Sequence, residues 1–175
     1  MKLFYIFLFV SFFVSLNACN SKDDKNSELP EKKEIEEKMI GANRLLLGVE
    51  EQEILDFIDR YNWDVKETGS GLKYDIYHHG NGKKAEEGLT AVINYEISLL
   101  TGDLVYSSEE EGNKAFKIGK GGEISGLQEG ILLMRVGDKA RFIMPPHLAH
   151  GVPGDGVKIP KRVPIVYKVE LIDLL

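Results

Sequence analysis

Stretches in the second half of the chain alternate apolar and polar residues with a period of two. Leu72-Lys-Tyr-Asp-Ile-Tyr77 does so, as does Ile93-Asn-Tyr-Glu-Ile-Ser-Leu99. In Ile165 to Leu171, Ile165, Tyr167, Val169 and Leu171 share one face, and Lys168 and Glu170 share the other. Side chains on a strand point to opposite faces in turn, so this texture describes half-buried strands and not helices. Asn81-Gly82 and Thr101-Gly102-Asp103 supply turns between them, and Asp103 to Ser107, Ala115 to Ile118 and Lys139 to Met144 read as further short strands. One short helical segment interrupts the series, Ser125 to Met134, capped by Ser125 or Gly126 and closed by Gly137-Asp138. Strands that follow one another without alternating helices exclude a parallel βαβ sheet. The fold class is therefore α+β, an antiparallel sheet with a short helix packed on it.

Upstream the pattern is helical. From Glu50 to Tyr61, Ile54, Phe57, Ile58 and Tyr61 fall on one stripe, which docks on the strand domain in the simpler reading or pairs with another copy of the chain. Glu31 to Leu47 reads as a separate, exposed helix with sparse apolar residues (Ile35, Met39, Ile40, Leu46), and Gly48 reads as its stop. Trp63 anchors the junction.

The first nineteen residues have the character of an address. Met1-Lys2 precedes an apolar run from Leu3 to Leu16 broken only by Ser11 and Ser15. That run is shorter than the roughly 20 residues a spanning helix needs, and it suits the apolar region of a secretory signal. It holds five of the chain's eight Phe, so the overall composition averages unlike parts. It ends in Leu16-Asn17-Ala18-Cys19, which resembles the lipobox of bacterial lipoproteins, and Cys19 is the sole cysteine. The resemblance implies lipidation at Cys19. Asn20 to Glu34 is polar and reads as a tether; Lys22-Asp23-Asp24 resembles export tags of surface lipoproteins or is ordinary solvated linker. The expected organisation is a signal over 1–18, a lipidated cysteine and tether over 19–34, a helical neck over 35–70 and the strand domain over 71–175.

Several function classes are excluded or left without support. A net charge of −6 argues against a general nucleic-acid binder. Gly119-Lys-Gly-Gly122 lacks the spacing of a phosphate loop. His147 and His150, or the pair His78-His79, come with no carboxylate or cysteine pattern of a metal site. No Gly-x-Ser-x-Gly elbow exists, and the lone cysteine is used elsewhere. What remains is a pocket of apolar and aromatic residues beside Gly-rich loops, suited to an apolar or extended ligand.

Val136-Gly-Asp-Lys-Ala-Arg-Phe-Ile-Met-Pro-Pro-His-Leu-Ala-His-Gly151 resembles the signature of FK506-binding-protein-type (FKBP-type) peptidyl-prolyl isomerases. So do Ile124-Ser-Gly-Leu-Gln-Glu-Gly130, Ile159-Pro160 and Val166-Tyr-Lys-Val-Glu-Leu171, with Asn94-Tyr95, Gly102 and Ser107-Ser108 in the first half. Gln52 to Leu72 is similar to a Bacteroidetes-type subgroup of isomerase lipoproteins that includes gliding-motility-associated ones. The resemblance implies a bent antiparallel sheet wrapped on the short helix, with the pocket between them. It places Tyr95, Phe116, Ile124, Leu127, His150, Ile159 and Tyr167 on the pocket lining and Val105 and Tyr106 at its far wall. It implies no cofactor and no metal. The family's activity is rotation about X-Pro bonds, whose barrier of about 18–20 kcal/mol comes from amide resonance that twisting breaks. A dry pocket favours the less charge-separated twisted amide, and the Ile124 N–H would hold the substrate carbonyl. Four positions depart from the family pattern: Leu127 stands where Trp is usual, His150 where the edge Tyr is usual, Tyr106 for the wall Asp and Val105 for the Phe before it. The expectation is an isomerase of exported or envelope proteins. It would be held by lipid at the outer membrane facing the periplasm or at the cell surface, and would act on proline-containing unfolded or extended segments. The rivals are a proline-peptide-binding chaperone of little activity, and a structural part of an envelope or gliding-motility complex.

Overall fold

The computed structural model describes residues 28–175, so the expected signal, Cys19 and most of the tether lie outside the described residues. The chain divides into one compact unit up to Asn43 and another from Arg44 to Leu175. The described part of the first belongs to helix α1, Glu28–Tyr61, whose residues 32–49 are exposed. The helix begins inside the stretch read as tether and runs through Gly48 without a break, which corrects both the tether's end and the expected stop. A glycine inside a helix costs about 1 kcal/mol relative to alanine, and the strong helix formers around it outweigh that. The stop is Asn62. Its φ of 51° is left-handed. Its N–H donates to Asp59 and that of Trp63 to Ile58, each at 3.1 Å. These two bonds are the pair that closes a helix through a left-handed residue, and the residue after it packs back on the last turn. Trp63 does so edge-on to Phe57, with ring centroids 5.2 Å apart.

The second unit is a seven-stranded antiparallel sheet among the described residues. Its strands are β1 (Lys66–Glu67), β2 (Lys73–His78), β3 (Thr90–Leu99), β4 (Leu104–Ser107), β5 (Lys114–Lys117), β6 (Lys139–Met144) and β7 (Ile165–Leu174). The order is β1-β2-β6-β7-β3-β4, and β5 pairs with β3 beyond the end of β4. Register shifts at Ile76/His78, Val92/Ile93 and Ile97/Ser98 mark bulges, which bend strands and increase their twist. Two short helices follow strands or loops: α2 (Ser108–Glu111) and α3 (Ser125–Leu132). The N-cap of α3 is Ile124 and no side chain caps it, so neither Ser125 nor Gly126 has the expected capping role. Gly126 and Gly130 are needed for another reason. A Cβ on Gly130 would lie 2.7 Å from the Phe142 ring, and one on Gly126 2.8 Å from Met144 Sδ. The helix thus lies almost against β6.

Between α3 and the inner face of the sheet sits one core: Ile93, Tyr95, Ile97, Phe142, Met144, Ile165, Tyr167, Val169 and Leu171 from the sheet, Leu127 and Ile131 from the helix. A second, smaller core lies on the outer face. There Ile54 and Phe57 of α1 cover Ile143 and Val166, which pair across β6 and β7, with Ile58, Trp63 and Leu100 at the edge. Ion pairs frame this contact: Glu50 with Arg162 at 2.7 Å, and Lys73, only 3% exposed, with Glu51 at 2.8 Å. Arg141 stacks on Trp63, its guanidinium carbon 4.3 Å from the ring centroid, and pairs with Asp75 at 2.6 Å. The stripe on α1 therefore docks on the domain, and the compact unit begins at Arg44, upstream of the expected boundary at 71.

Candidate functional site

A cavity of about 250 Å³ opens where the inner face of β3 and β7 meets the loops around α2 and α3 and the loop before β7. Its walls are Tyr95, Ile97, Tyr106, Glu111, Lys114, Glu123, Ile124, His150, Asp155, Val157 and Tyr167. Of the sequence-predicted residues, Tyr95, Tyr106, Ile124, His150 and Tyr167 are brought together here. Phe116, Leu127 and Ile159 are not on the lining. They are buried in the core behind it, because β5, the inner side of α3 and the segment before Pro160 are packed into the sheet. Val105 is also buried, and what it presents is its carbonyl, which accepts from Lys158 Nζ at 2.7 Å.

The polar part of the lining was not legible as a site. Tyr95 donates its hydroxyl proton to Glu111 Oε2 at 2.6 Å. Lys114 pairs with Glu123 at 3.2 Å and sits 5.1 Å from the Tyr95 ring centroid. Tyr106 donates to Asp155 Oδ2 at 2.5 Å, while Asp155 Oδ1 accepts the N–H groups of Val157 and Ile159, each at 2.8 Å. Gly154 and Gly156, both at positive φ, shape that loop. The cavity is accordingly less dry than expected, with an apolar floor and a rim of carboxylates. Ile97 could have been found, since it lies two residues after Tyr95 on the same strand face. Glu111, Glu123 and Asp155 could not, because nothing in a run such as Glu109-Glu110-Glu111 distinguishes a wall residue from a solvated one. Asp155 between two glycines carried only a turn signal.

The titration of these groups follows from the contacts. Burial, with help from the Glu111 bond, pushes the Tyr95 hydroxyl up to about 12. Tyr106 is raised by its bond to Asp155. Burial opposes ionisation of Asp155, but the hydrogen bonds from Tyr106, Val157 and Ile159, and nearby His150, outweigh it and bring the carboxyl down to about 2. Burial raises Tyr167 furthest of all. These tyrosines are neutral and Asp155 is ionised near neutral pH.

Three groups on the wall that can donate have no partner among the described residues: the Ile124 N–H, at the entrance to α3, the Tyr167 hydroxyl and the His150 ring. The other motifs have structural roles. His147 Nε2 lies 3.0 Å from the Ser70 carbonyl and does not join His150. The Gly-rich loop is pinned by Gln128, which takes the Gly119 N–H and donates to the Lys120 carbonyl, each at 2.9 Å. A larger, shallower depression of about 490 Å³ lies on the outer face, where Lys168 pairs with Glu96 and Lys139 with Glu170, leaving Glu109 as its one unpaired charge among the described residues.

A pocket between a bent antiparallel sheet and one short helix, with a free N–H at the helix entrance, is the geometry that the sequence resemblance implied. The family model of FKBP-type peptidyl-prolyl cis-trans isomerases matches residues 81–172. The chain belongs to this family. FK506-binding protein 2 of Dictyostelium discoideum is 41% identical over 92 residues, 52% of this chain and 69% of that one. FkpA of Escherichia coli K12 is 33% identical over 114 residues, 63% of this chain but only 40% of its own length. Among solved structures, AtFKBP13 superposes with a TM-score of 0.62 at 30% identity, covering 65% of this chain and all 100% of its own. The crystal structure of Escherichia coli FkpA reaches 0.64 over 99% of this chain and 81% of its own, at 22% identity, a likeness of fold that takes in the N-terminal helix. Within this FKBP-type chain the family match ends short of α1, so the Ile54/Phe57 contact on the outer face is an addition to the matched region.

Proposed function

We propose that this FKBP-type chain rotates X-Pro bonds in exported or envelope proteins while held to a membrane through lipid on Cys19. The observation that carries the activity is the cavity itself. Tyr95, Ile97, Ile124 and Tyr167 give it an apolar floor, and the Ile124 N–H is free to take a carbonyl. A peptide carbonyl fixed there, with the proline ring on the floor, meets surroundings that stabilise the planar amide less than water does, which lowers the barrier to rotation. No proton transfer is needed, in keeping with tyrosines that stay neutral and an Asp155 that stays ionised. The purified full-length chain in mild detergent should speed isomerisation of a proline tetrapeptide well above the uncatalysed exchange of tens to hundreds of seconds. Ile124→Asp should remove that activity. A rate equal to the uncatalysed one at micromolar protein would leave a peptide-binding chaperone, the reading that the carboxylate rim and the absence of a Trp at Leu127 favour.

Envelope location rests on the residues before the described part. The apolar run, Leu16-Asn17-Ala18-Cys19 and the polar tether support an anchored protein facing the periplasm or displayed at the surface, and Cys19→Ser should move it to the soluble fraction. Among the described residues no helix is long and apolar enough to cross a membrane. A gliding-motility or other structural role rests only on the resemblance of Gln52 to Leu72. Self-association through the neck has firmer support: Ile35, Met39, Leu46 and Val49 on α1 are exposed and spaced 4, 7 and 3 apart, the seam of a two-helix coil.

A further inference from the structure

The polar groups around the cavity are committed to one another except for two side chains, the half-buried His150 and the fully buried Tyr167. The Tyr95 and Tyr106 protons go to Glu111 and Asp155, Lys114 goes to Glu123, and Asp155 holds two backbone N–H groups as well. Tyr167 is 1% exposed, and its hydroxyl has no partner among the described residues. It stands on the inner face of β7, its ring 5.7 Å from that of Tyr95, and it forms part of the cavity wall. Glu123 and Glu111, which carry charge on the same wall, flank this part of the cavity. Phenylalanine would fill the same space. A buried hydroxyl left unpaired is a cost, and here it carries none of the packing.

We propose that the Tyr167 hydroxyl is a substrate-binding donor that gives its proton to a backbone carbonyl of the proline-containing peptide, beside the Ile124 N–H. The proposal rests on the isomerase reading and deepens it. The chemistry of the ligand fits. An X-Pro amide has a carbonyl acceptor and no N–H, so a peptide around proline is rich in acceptors and poor in donors. A cavity whose carboxylates already hold donors, and whose spare groups are the Ile124 N–H, the Tyr167 hydroxyl and the His150 ring, each able to donate, matches that imbalance.

Tyr167→Phe removes one oxygen and tests the proposal on the full-length chain. Peptide affinity, kcat, KM and thermal midpoint are measured for both proteins with a proline tetrapeptide. The expected result is a KM and peptide Kd raised about three- to tenfold, the worth of one hydrogen bond, with kcat within about twofold and a thermal midpoint equal or higher. Unchanged KM and Kd would overturn the proposal. So would a lowered midpoint, because the hydroxyl would then have a partner in the free protein. If the wild-type chain binds the peptide and isomerises it while the variant matches it, the donor role alone fails. If the wild type neither binds nor isomerises, the isomerase reading fails and takes the donor role with it.

Discussion

Asp155 shows how a loop residue with little sequence signal becomes a fixed part of the site. Its carboxylate closes the turn between Gly154 and Gly156, holds Tyr106 at the far wall, and keeps a charge beside His150. Its folded value of about 2 lies below the 3.8 of the free side chain. The stabilisation it gives is therefore complete above the unfolded value and is lost as the pH falls from about 4 toward 2. Thermal melts over that window should show Asp155→Asn with a shallower acid slope than wild type; an identical slope would assign it to another carboxylate. Gly130 makes a different demand. Because its Cβ would enter the Phe142 ring, Gly130→Ala should destabilise the chain by about 1–3 kcal/mol through overpacking, read from urea denaturation.

At the scale of elements, what was legible depended on whether the signal was local. The strands from Leu72, Ile93 and Ile165 were read from alternation to within a few residues, since one polar face against water imposes it. The extension of β3 back to Thr90 and of β7 on to Leu174, and the short pairs at β1 and α2, have no such pattern, because partners distant in sequence create them. The helix stop was misplaced for the same reason. Gly48 carries the stronger local signal, but Asn62 has Trp63 after it to pack on Phe57. Gly48 adopts ordinary helical backbone with nothing within 4 Å of a Cβ. Gly48→Ala should therefore stabilise this part of α1 by about 1 kcal/mol, seen as slower amide exchange around residues 44–50. In the site, the aromatic and aliphatic residues were read from the family pattern. The carboxylates of the rim became visible only with the loops folded. Ile54, fully buried on the outer face, tests the docking of α1: Ile54→Ala should cost about 2–5 kcal/mol in chemical denaturation.

For the whole molecule, the runs Phe142-Ile143-Met144 and Ile165-Val166-Tyr167 are the places where alternation fails, and they record that β6 and β7 are covered on both faces. One side faces α3 and the pocket, the other the end of α1. If the exposed seam on the helix joins two copies, Leu46→Glu should reduce a dimer to a monomer in sedimentation without loss of isomerase rate. The covered outer face also bears on how the chain can be divided. A fragment cut where the family match starts, at residue 81, would lose α1, β1 and β2, leaving Ile143 and Val166 bare side by side on neighbouring strands, the edge of β6 without its β2 partner, and Arg162 without Glu50. Such a piece would expose a sticky flat surface to other copies and precipitate, whereas one starting near Arg44 would carry its own cover and remain in solution. The smallest portion able to live alone is thus set by α1, β1 and β2, which all precede the residues the family model matches.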